Sequence, residues 1–282
     1  MNRLEALIAR DPGGRGVAAL VLPGELGRGA ALLTKAHGIL VATGFAVGSD
    51  GLAETDGPPG ALFLARALTA LGKRVTLATH ASCAAVLRAG LRALKLPAEL
   101  AVLEPGADPT FLLDRHDLVV TVELPGQGAD GEYRSMRGLV ITNRHARLDE
   151  LLPAAAARSL PTIAVGDGGN EAGMGKVLQR VRASVRLGEL IGAVLPADVL
   201  VAAGTSNWGA YGLIAAIDPA LLPTPAEELA LLEALVAAGA VDGVTLRPEP
   251  TVDGIEAGLY FDVLLALRSG ALPEVAAAGE EG

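Results

Sequence analysis

The sequence predicts an α/β fold: a doubly wound, mostly parallel sheet with helices on both faces. Three observations predict it. Short apolar, β-branched runs recur along the 282 residues. Each run ends in glycine, acid or hydroxyl residues, or in small residues leading into them, and a helical stretch separates it from the next. The runs are continuously apolar rather than alternating, as expected of strands buried on both faces. Strand–helix–strand spacing then requires parallel pairing through right-handed crossovers.

In order, strands are expected at 38–43, 74–79, 117–123, 161–166 and 198–203, with helices at 59–71, 81–94, 148–159, 174–186 and 208–217. After Asp218 the pattern changes to a turn at 219–225, a helix at 227–238, a Val-Asp-Gly-containing segment at 241–255 and a last helix at 259–268. The chain thus reads as one α/β domain, with a core of about 15–218, a C-terminal helical extension of about 219–272 and a frayed tail at 273–282.

Half of the residues (51%) are hydrophobic but only 3% are aromatic, so the core has to be built from Ala, Leu, Val and Ile. A formal charge of -9 without any basic run argues against a nucleic-acid partner. The single cysteine, Cys83, excludes an intramolecular disulfide and a Cys-rich zinc site, and reads as core packing. The start, Met1 to Leu7, reads as an amphipathic helix without the apolar centre of a signal peptide. No apolar run reaches the ~20 residues of a spanning helix. No membrane partner is therefore expected, the cytoplasm is the expected compartment, and homo-oligomerisation is left open.

In open α/β sheets ligands bind beyond the carboxyl ends of the strands, which selects four loops. The first, 43–60, carries Asp50, Glu54 and Asp56 within seven residues and is too long for a simple connection of roughly 2–6 residues. Asp56 could alternatively do no more than cap the following helix. The second, Val165-Gly-Asp-Gly-Gly-Asn-Glu-Ala-Gly-Met-Gly-Lys176, matches neither a phosphate loop nor a dinucleotide fingerprint. Its Asp167 and Glu171 would repel a phosphate and suit an amine or a divalent cation, with Asn170 beside them. The third, 123–138, begins at Glu123 and holds Arg134 and Arg137, forks suited to a carboxylate. The fourth, Gly204-Thr205-Ser206-Asn207-Trp208, sets hydroxyls and an amide at a helix start, where capping accounts for some of them. Of the four histidines, His80 ends a strand as a catalytic residue would, while His37, His116 and His145 look peripheral.

Together these loops resemble the D-glutamate cyclase-like C-terminal domain family, formerly a domain of unknown function. The resemblance rests on Thr43-Gly-Phe with Glu54-Thr-Asp-Gly-Pro-Pro-Gly-Ala61, Asp130-Gly-x-Tyr with Met136-Arg-Gly138, Gly166-Asp-Gly-Gly-Asn-Glu-x-Gly-Met-Gly175, and Ser206-Asn-Trp-Gly-Ala-Tyr211. It implies a hydro-lyase that converts D-glutamate, a small acidic amino acid, to 5-oxo-D-proline with loss of water. In that chemistry Asp167 or Glu171 would serve as base, with Asn170 and His80 as further catalytic candidates. Arg134 or Arg137, or a divalent cation (Mn or Mg) held by Asp50, Glu54 or Asp56, would neutralise the γ-carboxylate. Gly168, Gly169, Thr205, Ser206, Asn207 and Glu123 would contact substrate. The same loops also suit a metal-dependent hydrolase or lyase acting on another small carboxylate or lactam, or a non-catalytic protein that binds an acidic metabolite. A kinase or ligase is disfavoured, because no phosphate-loop lysine sits at the expected place.

Overall fold

Successive side chains of a strand point to opposite faces, so a run such as Ile39-Leu40-Val41-Ala42 has to feed two cores. It does so in the computed structural model, which describes residues 1–270: Ile39 and Val41 join one apolar cluster, Leu40 and Ala42 another. The expected tail at 273–282 lies outside the described residues.

The elements run α1 (Arg3–Ile8), α2 (Glu25–Lys35), β1 (Gly38–Thr43), β2 (Ala46–Val47), β3 (Leu52–Ala53), α3 (Pro58–Ala70), β4 (Arg74–His80), α4 (Ala84–Ala93), β5 (Glu99–Leu103) and β6 (Leu118–Val122). There follow α5 (Leu151–Ala157), β7 (Thr162–Gly166), α6 (Leu178–Ser184), α7 (Gly188–Ile191), β8 (Val199–Ala202), α8 (Ser206–Ile217), α9 (Pro225–Ala237) and α10 (Ala257–Ser269). Six strands form one parallel sheet in the order β5-β4-β1-β6-β7-β8, and β2 and β3 form a separate hairpin. In the middle of the sheet Val41 pairs with Leu77 on one side and Val120 on the other.

Helices α1–α4 and α8–α10 cover one face, and α5–α7 cover the other. The chain therefore winds outward from β1 through β4 to β5, returns to β6, and winds outward again through β7 to β8. The reversal falls between β1 and β6, where a doubly wound sheet opens a crevice at its carboxyl edge.

Local chemistry explains where the elements differ from expectation. The edge strand β5 is apolar from Leu100 to Leu103 but mostly half-exposed, unlike the fully buried central strands. The stretch expected as one helix at 174–186 divides into a 3-10 turn at Gly175–Val177 and the short α6. The pattern gave no sign of the glycine-containing α2, of the β2–β3 hairpin inside the first acidic loop, of β5 or of the short α7. No helix among the described residues is long and apolar enough to cross a membrane.

The segment after α8 packs back on the same face as α8, with α9 against α4 and α10 against α8 and α1. Its buried polar centre is Glu228, whose Oε1 accepts hydrogen bonds from Tyr211 (2.7 Å) and Tyr260 (2.5 Å). Tyr260 also stacks on Trp208, with ring centroids 5.5 Å apart. Burial pushes the Glu228 carboxyl up to about 7 from 4.5, the two tyrosine hydroxyls opposing the shift. A carboxyl whose folded pKa lies above its unfolded value weakens the fold as pH rises between the two. Glu228→Gln should therefore gain stability over the parent protein between about pH 5 and about pH 8, by on the order of 3 kcal/mol. Chemical denaturation at both pH values checks this. A stability difference that does not change with pH would show that Glu228 carries no such penalty.

Candidate active site

Four strands of the sheet, β1, β6, β7 and β8, deliver their following loops to one edge. The loop after β1 holds Glu54 and Asp56, both buried. Gly57, the N-cap of α3, has no side chain to cap with, and both oxygens of Asp56 are engaged elsewhere, so Asp56 does not serve the helix it precedes. Its carboxylate instead accepts the backbone N–H groups of Ser206 (2.7 Å) and Asn207 (2.9 Å), the first turn of α8. A helix N-terminus favours an anion there. Asn207 acts in the opposite direction: its Oδ1 accepts from the N–H groups of Gly57 (3.0 Å) and Gly60 (2.8 Å), and its Nδ2 donates to the Thr55 carbonyl.

Glu123, the first residue past β6, has φ +42, a left-handed conformation that costs a side chain of this kind. Its Oε2 accepts from the Ser206 hydroxyl at 2.6 Å. Gly57 lies against it with φ +92, and a Cβ on Gly57 would stand 2.5 Å from the Glu123 Cβ.

The glycine-rich loop after β7 closes on its own acid. Glu171 accepts from the N–H groups of Gly168 (2.6 Å), Gly169 (2.7 Å) and Asp167 (3.3 Å). Asn170 donates through Nδ2 to the Arg134 carbonyl at 2.8 Å, while its buried Oδ1 has no partner. Asp167 is paired with Arg15, whose Nη2 also reaches Asp253 Oδ1 at 2.9 Å. The second oxygen of Asp253 is buried without a partner.

Asp56, Asp167 and Asp253 can each place an oxygen within 4.8 Å of the others, and so can Glu123, Asp167 and Glu171. Oxygen sets of this kind hold a hard divalent cation, and Asp167 belongs to both. Burial, reinforced by neighbouring carboxylates, holds Glu54 and Glu123 well above the usual carboxylate range. Burial likewise raises Asp167 against the opposing pull of Arg15, and brings Asp56 to about 8 against the two N–H bonds it accepts. Of these, Glu54, Glu123 and Asp167 face a cavity of about 590 Å³ that Arg15, Asn170 and Asp253 also line. A buried, acidic, partly protonated floor can take up an ammonium group or a cation and exchange protons with it.

Residues 4–268 match the family model described as D-glutamate cyclase-like, C-terminal. The chain belongs to that family. A human relative, the mitochondrial D-glutamate cyclase, is 35% identical over 240 residues, 77% of this chain but 38% of the relative. The chain thus spans under two-fifths of the length of that relative. Among solved structures, RecJ with Mn²⁺ from Thermus thermophilus aligns at 16% identity and a TM-score of 0.37, covering 78% of this chain and 25% of the other. An exopolyphosphatase-related protein from Bacteroides fragilis aligns at 11% identity and a TM-score of 0.42, covering 90% and 62%. Likenesses this distant carry no weight for the site.

The structure brings together most of the acids in the cyclase-family motifs, but not every candidate. Asp50 is exposed and hydrogen-bonded by Ser49, away from the cavity, so it joins neither carboxylate set. Arg134 spends its fork on Asp130 (2.8 and 2.6 Å) and does not line the cavity. Arg137 does line it, with Nη2 donating to the Val244 carbonyl at 2.8 Å. His80 lies off the cavity: its Nδ1 accepts from the Ala146 N–H, and its ring meets that of His145 edge-on. Burial first, then His145, keeps His80 well below the usual histidine range, and burial takes His145 down to about 4. His145 and His116, expected to be peripheral, are buried.

The Gly168 and Gly169 N–H groups serve Glu171 rather than a ligand. Thr205 caps α8 by accepting from the Trp208 N–H, and Asn207 binds backbone only. Sequence reasoning missed Arg15 and Asp253. Arg15 sits in the Gly13-Gly14-Arg15-Gly16 turn ahead of the sheet, and Asp253 in a Val-Asp-Gly turn close to the C-terminal helix. Their signal was an ionic residue set among glycines.

The contact at Gly57 can be isolated. Gly57 and Gly72 both have positive φ, but a Cβ at Gly72 would meet nothing within 4 Å. Gly72→Ala should cost about 1 kcal/mol, the backbone penalty alone. Gly57→Ala should cost at least about 2 kcal/mol more, because it also drives into Glu123. Urea unfolding of the two variants checks the difference. Equal losses would mean that Glu123 is free to move aside.

Proposed function

We propose that this chain closes D-glutamate to 5-oxo-D-proline with loss of water. The observation that carries the reading is the convergence of Glu54, Asp56, Glu123, Asp167 and Glu171, scattered through the family motifs, on one buried edge of the sheet. In the reaction the α-nitrogen bonds to the γ-carbon and a C–O bond of the γ-carboxyl breaks. The two protons that the ammonium gives up leave with that oxygen as water.

Glu54 is the residue best placed to move a proton. It faces the cavity, no side-chain hydrogen bond ties it among the described residues, and burial, with Asp253 and Asp56 beside it, holds its carboxyl well above the usual carboxylate range. The unpartnered Oδ1 of Asn170 can accept from the α-ammonium and orient it. Arg15 lines the cavity between Asp167 and Asp253, and the guanidinium N–H groups left over from those two ion pairs can receive a substrate carboxylate. Asp56, Asp167 and Asp253 form the set that would hold Mn²⁺ or Mg²⁺. Such a cation would neutralise the γ-carboxylate and make its carbon electrophilic. Holding the substrate bent supplies a large share of the acceleration, since ring closure is intramolecular.

The test is incubation of the chelated protein with D- or L-glutamate, with and without Mn²⁺ or Mg²⁺, following 5-oxoproline by chiral chromatography. Product is expected from the D-isomer with added cation, and Asp167→Asn should lower kcat/KM by about 100-fold or more. Absence of product from either isomer under every condition would overturn the reading.

A further inference from the structure

Free glutamate leaves much of this cavity unused. It has about ten non-hydrogen atoms, and even at the roughly 30 Å³ that a water claims in the liquid it fills only about half of such a space. The 590 Å³ found here lies in the range that encloses larger, drug-sized ligands.

The unused part has its own chemistry. Phe45, Val47, Ile141, Val244 and Leu246 line it. Phe45, Val47 and Ile141 belong, with Tyr133 and Val241, to a small apolar cluster separate from both cores of the sheet, and Leu246 packs on that cluster. The wall continues to the mouth, where Leu139 is 58% and Val244 45% exposed. Glutamate offers only two methylenes to such a surface. Leu139, Val244 and the half-buried Leu246 keep this wall open toward water, with the buried Phe45, Val47 and Ile141 behind them. An apolar cavity wall of this kind beside polar groups marks a place where a ligand lies.

We propose that the preferred substrate is a γ-linked glutamyl conjugate, with its amino-acid head on the carboxylate floor and an apolar amine substituent against this wall. The proposal rests on the ring-closure reading above and names its substrate class. The substituent can be attached only at the γ-carbonyl. The α-amine has to be free to attack, and the α-carboxylate is the group that Arg15 is placed to receive. A γ-amide is also uncharged, which suits a floor crowded with acids. The α-nitrogen bonds to the γ-carbon and the amide C–N bond breaks. The α-ammonium loses two protons, the departing nitrogen gains both, and the amine leaves as an ammonium ion beside 5-oxoproline. Glu54 and its neighbours carry those protons as they would for water.

The test uses the full chain with Mn²⁺ or Mg²⁺ and two probes, D-glutamate and its γ-benzylamide, measuring 5-oxoproline from each and benzylamine from the second. One methylene in an apolar pocket is worth about tenfold or more in kcat/KM, so the benzylamide should exceed D-glutamate by at least that factor. Product from the benzylamide alone would also support the proposal and would remove free D-glutamate as substrate. A benzylamide equal to or poorer than D-glutamate would overturn the proposal and leave the water-losing reaction standing. No product from either probe would overturn both. Leu246→Asp should bring the ratio of the two probes down by about tenfold, and Val244→Asp, at the exposed rim, gives the same reading should the first variant not fold. A ratio unchanged in the folded variant would show that the wall touches no substituent and would overturn the proposal.

Discussion

Everything at the carboxyl edge of this sheet depends on keeping six carboxylates out of water within reach of one another. Glu54, Asp56, Glu123, Asp167, Glu171 and Asp253 are all buried. An isolated buried carboxylate costs several kcal/mol, and neighbours of the same sign raise that cost. The protein meets it with backbone more than with opposite charge. Glu171 is held by three N–H groups of its own loop, and Asp56 by two of α8. Among the described residues Arg15 supplies the one guanidinium seen paired within the cluster, and it spans two acids. What remains uncompensated appears as carboxyl groups that hold their protons far more tightly than in water.

Backbone donors have to be delivered rigidly, which is why the site and the cores cannot be separated. Helices α3 and α8 pack together, and their ends cap each other crosswise. Asp56, just ahead of α3, takes the first donors of α8; Asn207, in α8, takes the donors at Gly57 and Gly60. Pro58 and Pro59 between those glycines have no N–H to satisfy, so the start of α3 leaves few orphans. A slip of either helix would strip Asp56 and the Ser206 contact to Glu123 at once. The ladder from β1 to β8 fixes both helices against that slip, with two apolar layers on either side of the strands.

The parts of this arrangement that were legible in the sequence share a physical reason. Central strands are apolar on both faces, so 38–43 and 162–166 read directly, whereas β5, wetted at the edge, does not. Loops that follow such strands point to one edge by topology alone, which located Glu54, Asp56, Glu123 and Asp167. Topology gives no direction to a side chain within a loop: Asp50, six residues before Asp56, turns to solvent once the β2–β3 hairpin forms. Arg134 and His80 were plausible by residue type and were claimed by local partners, Asp130 and the Ala146 N–H. Arg15 and Asp253 reach the cluster from segments outside the strand–loop rule. Their long-range contacts show that they belong to it: Arg15 pairs with Asp167 and Asp253, and Asp253 approaches Asp56 and Asp167.

The charge balance of the floor also constrains what it can admit. With acids in excess of the paired guanidinium of Arg15, an ammonium head is attracted and a second free carboxylate is repelled. Were free glutamate the substrate, its γ-carboxylate would reach the floor only with its charge cancelled. In the proposed reaction a cation among Asp56, Asp167 and Asp253 would cancel it from the protein side, and amide formation would cancel it from the ligand side. The second route also places an apolar group where Phe45, Val47 and Leu246 stand without partners from either core of the sheet. The two halves of the cavity, one acidic and one apolar, thus match the two halves of the proposed conjugate, joined at the carbonyl that the proposed reaction would attack.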